Sequence, residues 1–340
     1  MGQSIFSLMR GPFSISRNNR VLKVLSFVLS LTAASAFAAE IDAKQSPEHS
    51  LLKMQQAMKH LNYQGTVAFL RNGKLNVLKY SHASTNGTGQ ERLVSVNSPL
   101  RETIRDADKV SCFFPETSKV IVDHRPAARS FLIDLPEQLN GLEAYYQFTF
   151  SGEEQVAMLP TRILDISPKD QYRYARRIWI DIGQYLPLKV EVYDRSGNTI
   201  EQVVFTELEV KPSLPFIDVD SALLDKEVER IHNRQPMSFE TAGFVLKQVP
   251  GGFRQQFFVQ MTMQGSNRPV EHLLLSDGFS SVSVYLENKG ANIELGARST
   301  DSVNAFSRII DDHVVTVMGE VPEETVRYIA EGVELRTDIQ

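Results

Sequence analysis

The stretch RIWIDIGQYLPLKVEVYDRSGNTIEQVVF, residues 177–205, decides the fold. Its apolar residues recur at every second position, the period of a strand with two unlike faces. Ile178, Ile180 and Ile182 fall on one side, against Arg177, Trp179 and Asp181. Leu188, Val190 and Val192 repeat the pattern against Lys189, Glu191 and Tyr193. Asp194 to Asn198, with Gly197, makes a tight turn, and Thr199 to Val210 reads as a third strand. No helix long enough for a parallel crossover separates these segments, so residues 172–210 are expected to form an antiparallel meander with one apolar face. Asp181 and Glu191 are expected on its solvated face. The acids, the lone Trp and the Gly turn therefore read as a wall and not as a catalytic site.

Similar signals extend in both directions. TVAFLRNGKLNVLKY places two apolar runs around Asn72-Gly73, residues that accept the positive φ of a two-residue hairpin. ERLVSVN, KVIVDH and SFLIDL also look like strands, while LPEQLNGLEAYYQFTFS (135–151) is open between helix and loop. Ser46-Pro47-Glu48 is a helix start, and Leu51, Met54, Met58 and Leu61 then share one face. Pro212 and Pro215 break the strand pattern, and SALLDKEVERIHNRQP reads as a short charged helix. A linker is placed at 212–236 on these grounds. Beyond it, HLLLSDGFSSVSVYLE is a hairpin around Asp277-Gly278. HVVTVMGEVPEETVRYIAEGVEL is a strand followed by a helix that begins after Pro322 and ends at Gly332.

The first residues carry a different message. Arg10, Arg17, Arg20 and Lys23 precede an apolar run from Val24 to Ala34, and Ala36-Phe37-Ala38 is a small-x-small cleavage pattern. Residues 1–38 therefore read as a signal peptide. The run is about half the roughly 20 residues that span a bilayer, so the chain is expected not to span a membrane. Cleavage would leave 32 Lys+Arg against 41 Asp+Glu, a net charge of −9. An acidic exported chain lacks the basic face that nucleic-acid binding uses. One cysteine, Cys112, permits no internal disulfide and reads as a buried small hydrophobe.

A search for catalytic patterns finds none. The seven His are scattered without metal-ligand spacing, so no metal or cofactor is expected. Ser50-Leu51-Leu52-Lys53 matches Ser-x-x-Lys but lacks its companion motifs. GTGQER at 87–92 lacks the third glycine of a dinucleotide fingerprint. Asp194–Asn198 lacks calcium-loop spacing. The chain is expected to bind and not to catalyse.

The blocks LLKMQQAMKHLNYQGTVAFLRNGKL, ERLVSVNSPLRETIRDADKVSCFFP, SPKDQYRYARRIWIDIGQYLPLKVEVYDRSGNTIEQVVFTELEV, VEHLLLSDGFSSVSVYLE and VTVMGEVPEETVRYIAEGVEL resemble, in order, the MucB/RseB family of periplasmic regulators of sigma-E-type (AlgU-type) stress signalling. They span residues 51 to 335. One departure is local: the family tends to carry a Gly-Arg pair before the ILDISP strand, where this chain has Met158-Leu159.

The resemblance implies an α+β fold. A curved antiparallel half-barrel covered by helices, similar to the LolA-like lipoprotein carriers, would occupy 39–211. A smaller α+β partner-binding domain would occupy 237–340. It also implies a partner, the periplasmic domain of a transmembrane anti-sigma factor, shielded from proteolysis until lipopolysaccharide or lipoprotein acyl chains release it. A periplasmic lipid or lipoprotein carrier is the alternative, and the oligomeric state, a homodimer included, is left open. Met54, Met58, Phe113, Phe114, Tyr145, Tyr146 and Phe148 are candidates for a lipid-facing lining, with ordinary core as their plainer role. Arg254 and Arg298 are candidates for partner contact, with solvated charge as theirs.

Overall fold

The computed structural model describes residues 46–71, 73–106, 109–124, 130–136, 138–219, 227–233, 236–262, 269–290, 294–300 and 302–336. The expected signal peptide and Asn72 lie outside them.

Helix α1 (Pro47–His60) starts as its sequence dictates, with Ser46 Oγ accepting from the His49 amide at 3.1 Å. It leads into a run of strands: β1 (Asn62–Arg71), β2 (Lys74–Thr85), β3 (Thr88–Ser95), β4 (Glu102–Arg105), β5 (Lys109–Phe114) and β6 (Lys119–His124). A short 3₁₀ turn at Leu142–Ala144 then precedes β7 (Tyr146–Val156) and β8 (Leu159–Pro168), so residues 146–151 of the segment expected to be helix or loop are strand instead. The expected meander follows as β9 (Ala175–Asp181), β10 (Pro187–Tyr193) and β11 (Thr199–Lys211), with β12 (Glu227–Asn233) last.

These strands form one 12-stranded sheet in the order β12-β6-β5-β4-β3-β2-β1-β11-β10-β9-β8-β7. Its two end strands do not pair with each other, so the sheet is an open half-barrel. The hairpin turns are short because their residues permit it. Arg71 pairs with Lys74 across a two-residue turn in which Gly73 has φ +72°. At Val156/Leu159 the two turn residues are Ala157 (φ +50°) and Met158 (φ +62°), so the hairpin closes without a glycine. Met158 is 92% exposed there.

Four expectations are corrected. Glu227–Asn233 is a strand, not part of a helix, and it pairs with β6 in parallel, in a sheet expected to be antiparallel throughout. Its alternation of Val228, Arg230 and His232 with Glu227, Glu229 and Ile231 is too mixed to reveal a period. SFLIDL is not a strand. The Phe131 amide donates instead to Glu91 Oε2 at 3.1 Å, and the Leu132 amide to Ser130 Oγ at 3.3 Å. Asp181 and Glu191 are buried, not solvated. Asp181 Oδ2 accepts from the Gln184 amide at 2.5 Å, and Glu191 pairs with Lys189 at 2.8 Å and with the Tyr193 hydroxyl. Cys112 is only half-buried, its sulfur 3.7 Å from Thr103 Oγ1.

The second sheet has six strands: β14 (Arg254–Thr262), β15 (Pro269–Ser276), β16 (Ser281–Asn288), β17 (Gly296–Thr300), β18 (Val303–Ile310) and β19 (His313–Gly319). Their order is β14-β15-β16-β19-β18-β17, and β13 (Phe244–Leu246) pairs separately with β20 (Val333–Leu335). Helix α2 (Glu323–Glu331) lays Val326, Ile329 and Ala330 onto Phe244, Phe258, Leu273, Val284 and Val317. Burial of each large apolar side chain contributes about 1.5–3 kcal/mol. The first sheet has its own core, in which Met54 and Leu51 of α1 meet Tyr146, Leu164, Ile166, Ile178, Ile180 and Val190.

Candidate functional site

Among the described residues, polar chemistry is concentrated on the meander face around Trp179 and at the junction where the second sheet meets the first, as well as around the buried Glu91. The meander face is closed on itself. Trp179 Nε1 donates to Glu154 Oε2 at 2.8 Å, and the Lys189 ammonium lies 4.0 Å over the indole ring. Arg177 forks onto Asp165 at 2.5 and 3.1 Å. Trp179 is thereby buried under long polar side chains. Asp194 closes the next turn by accepting from the amides of Ser196 and Asn198, both at 2.8 Å, and from Asn198 Nδ2 at 2.9 Å. Its bonds to Asn198 hold its carboxyl below the usual range. This region is the wall that its sequence suggests.

The junction is built from residues far apart in sequence. The β15–β16 turn, Asp277–Ser280, enters the first sheet's core. Asp277 Oδ2 accepts from Arg173 Nε at 2.6 Å and from the Tyr146 hydroxyl at 2.7 Å. Its Oδ1 accepts from the amides of Phe279 (3.0 Å) and Ser280 (2.7 Å). Both side chains of the Arg173–Asp277 pair are buried, 0% and 1% exposed. Arg173 also bonds Asp170 and the Gly251 carbonyl, and its guanidinium lies 5.0 Å from the ring centres of Tyr145 and Phe253. Burial, then the neighbouring Asp277 charge, pushes the Tyr146 hydroxyl well above its ordinary pKa.

Arg176 Nη2 donates to the Phe279 carbonyl at 2.7 Å. Asn304 Nδ2 donates to the Tyr174 hydroxyl at 3.0 Å, and Thr325 Oγ1 to the Tyr172 carbonyl at 2.8 Å. Two glycines allow the backbones to close. A Cβ on Gly278 (φ +101°) would stand 2.3 Å from Pro136, and one on Gly252 (φ +88°) 2.8 Å from Tyr145.

Beside this junction lies a cavity of about 670 Å³ with walls from both sheets. Phe69, Phe131, Val190 and Val192 line it from the first sheet's side, and Phe257, Leu274, Phe279 and Tyr285 from the second. Arg71, Arg105, Arg176 and Glu201 add charge to the lining. Arg71 bridges the sheets, with Nε 2.7 Å from Ser302 Oγ, a contact to Glu320, and 3.4 Å to Glu201. Burial holds the Glu201 carboxyl above its ordinary range, against the opposing pull of Arg71. A lining that mixes these apolar side chains with at least as much polar surface, Asp134, Glu320 and His272 included, is compatible with an amphiphilic ligand. Among the described residues no group of three or more His, Cys, Asp or Glu could hold a metal ion.

The candidate lining residues are placed elsewhere. Met54 and Tyr146 meet in the first sheet's core, with Met58, Tyr145 and Phe148 packed against it. Phe113 sits in a separate cluster with Ile104, Val120, Val122 and Val219, and Phe114 is half-buried on the same strand. None of the seven lines the cavity. Arg254 and Arg298 are exposed on β14 and β17, the opposite edges of the second sheet, so they do not converge. Arg298 pairs with Glu294 at 3.1 Å. The cavity residues were missed because they come from strands and loops that only the docking of two sheets brings together.

A half-barrel is thus joined to a smaller sheet through a buried polar junction, with a cavity walled by both, the class of two-sheet protein to which the family comparisons apply. Family matches then fix which one: the MucB/RseB N-terminal domain matches residues 46–227 and the MucB/RseB C-terminal domain residues 238–334, so the chain belongs to the MucB/RseB family. It is 26% identical to the sigma-E factor regulatory protein RseB of Salmonella typhimurium over 93% of this chain and 99% of that protein. It is 25% identical to the sigma factor AlgU regulatory protein MucB of Pseudomonas aeruginosa, over 85% and 92%. The solved MucA/MucB complex of Pseudomonas aeruginosa superposes with a TM-score of 0.67 at 23% identity, covering 86% of this chain and 99% of that one.

Proposed function

We propose that this protein acts in the periplasm as a negative regulator of a sigma-E-type stress response. It binds the periplasmic domain of a membrane-spanning anti-sigma factor and shields it from proteolysis. An amphiphile, lipopolysaccharide or a lipoprotein's acyl chains, enters the cavity between the sheets and weakens that complex. The supporting observation is that both family domains are present and locked together, in a chain that matches sigma-E regulators over nearly their whole length. Related MucB has been solved bound to MucA's periplasmic part. Release by a ligand requires that the ligand bind the free and partner-bound forms with different affinity, and a cavity with walls on both sheets provides for that.

Protease protection tests this. The chain from residue 39 is mixed with the periplasmic domain of the host's anti-sigma factor, and cleavage by the cognate protease is followed. Protection that lipopolysaccharide relieves is expected. Unprotected cleavage, together with transfer of lipoprotein in a carrier assay, would favour the carrier reading.

A further inference from the structure

We propose that the Asp277–Ser280 turn is a plug seated in cis. Its Phe279 fills an apolar niche of the first sheet, and withdrawal of the turn opens that niche to an apolar chain. This rests on reading the neighbouring cavity as a ligand site.

Phe279 belongs to one sheet by sequence and to the other by packing. It extends from the second sheet, yet it packs in the first sheet's core with Met54, Ile133, Tyr146 and Ile178 and is absent from its own sheet's core. Its ring centre lies 5.2 Å from Tyr146, edge to face, and 6.5 Å from Phe148. Phe279 also forms part of the cavity wall, together with Ile133 and Val190 of the same cluster, so the niche adjoins the cavity. Interiors are packed at crystal-like density and relax only partly when a side chain leaves. Withdrawal of one phenyl ring would therefore extend the cavity into a hollow walled by Met54, Tyr146 and Phe148.

The fastening is polar and local to the turn. Asp277 takes Arg173 and Tyr146 on one oxygen and caps its own turn with the other. Arg176 holds the Phe279 carbonyl. Strands β15 and β16 pair below the tip, from Ser276↔Ser281 onward, so the tip can withdraw while the ladder persists. A ligand that prefers the open niche would thus act on the contact that joins the two sheets.

Titration with the apolar dye N-phenyl-1-naphthylamine, on the chain from residue 39, tests the plug with wild type, Phe279→Ala and Asp277→Asn. Phe279→Ala is expected to bind about tenfold tighter, the effect of roughly two extra methylene equivalents buried. Asp277→Asn is expected to shift in the same direction by less. Equal affinity of wild type and Phe279→Ala would overturn the plug. Binding by Phe279→Ala with none by wild type would keep the plug and remove the ligand-accepting reading of the cavity. Hydroxyl-radical footprinting on wild type guards against misfolded variants. Saturating dye should raise labelling of the Phe279 ring, which is 4% exposed, while the β15–β16 ladder stays protected in hydrogen exchange. Dye that binds and leaves Phe279 labelling unchanged would also overturn it.

Discussion

The wall around Trp179 and the junction around Asp277 use the same materials: arginine, carboxylate, tyrosine and a tight turn. They differ in how far apart the partners are in sequence and how much water remains. Arg177 and Asp165 are 12 residues apart on adjacent strands and are 39% and 20% exposed. Arg173 and Asp277 are 104 residues apart and almost fully buried. A half-exposed pair is worth little because water already solvates both charges. A buried pair is weak evidence for net stability, yet breaking it leaves an uncompensated charge. The comparison shows that residue type alone does not tell a wall from a coupling device, whereas separation and burial do.

The sharpest way to break this contrast is to remove Asp277. Asp277→Ala leaves the Tyr146 hydroxyl without its acceptor and Arg173 with only Asp170 and the Gly251 carbonyl, and should cost about 3 kcal/mol in urea unfolding. A loss below about 1 kcal/mol would make the junction no different from the wall. Trp179→Ala should cost about 3 kcal/mol through lost packing, while small-angle scattering shows the sheets still docked. Undocking there would give the wall a role denied to it here.

Gly278→Ala puts a methyl group against Pro136 at a left-handed φ, and should cost about 1–3 kcal/mol. An unchanged Tm would mean that the close approach does not matter.

Alkaline titration separates the two regions by a different route. Tyr63, Tyr80 and Tyr146 are all held above their ordinary pKa of 10.0, burial first among the causes. Tyr193 on the wall is pushed up to about 12, by burial and then by its bond to Glu191. A pKa raised on folding means that the native state keeps its proton longer. The resulting stability is complete below pH 10 and is lost as pH rises through the folded-state value. Phenolate absorbance should therefore show Tyr193 titrating before unfolding and the buried three only with it. Early ionisation of all four would contradict the burial argument. The smallest effect is expected from Asp165→Asn, below about 1 kcal/mol by urea unfolding. A larger loss would blur the contrast.

Much of the fold is legible because it is local. The turn at Gly73, the alternation over 177–205 and Pro322 through Gly332 each carry their structure in a few neighbouring residues. Strand β12 is not legible, since its parallel partner β6 lies about a hundred residues earlier and supplies the pairing that its own composition does not suggest. SFLIDL has a strand's composition, but Glu91 takes its amide. The candidate site was harder still. Asp277-Gly278 reads as a hairpin turn and is one, yet nothing near it points to Arg173 or Tyr146. Met54, Tyr146 and Phe148 were singled out for apolar character, which fits a core and a lining equally well. Only the docking of the two sheets separates those roles, placing Phe279 over them.

Paired double-mutant cycles in urea test the central claim most directly. One uses Arg173→Ala with Asp277→Ala, the other Arg177→Ala with Asp165→Ala. A coupling energy of at least about 2 kcal/mol is expected at the junction and at most about 0.5 kcal/mol on the wall. Equal couplings, or a larger one on the wall, would contradict that claim.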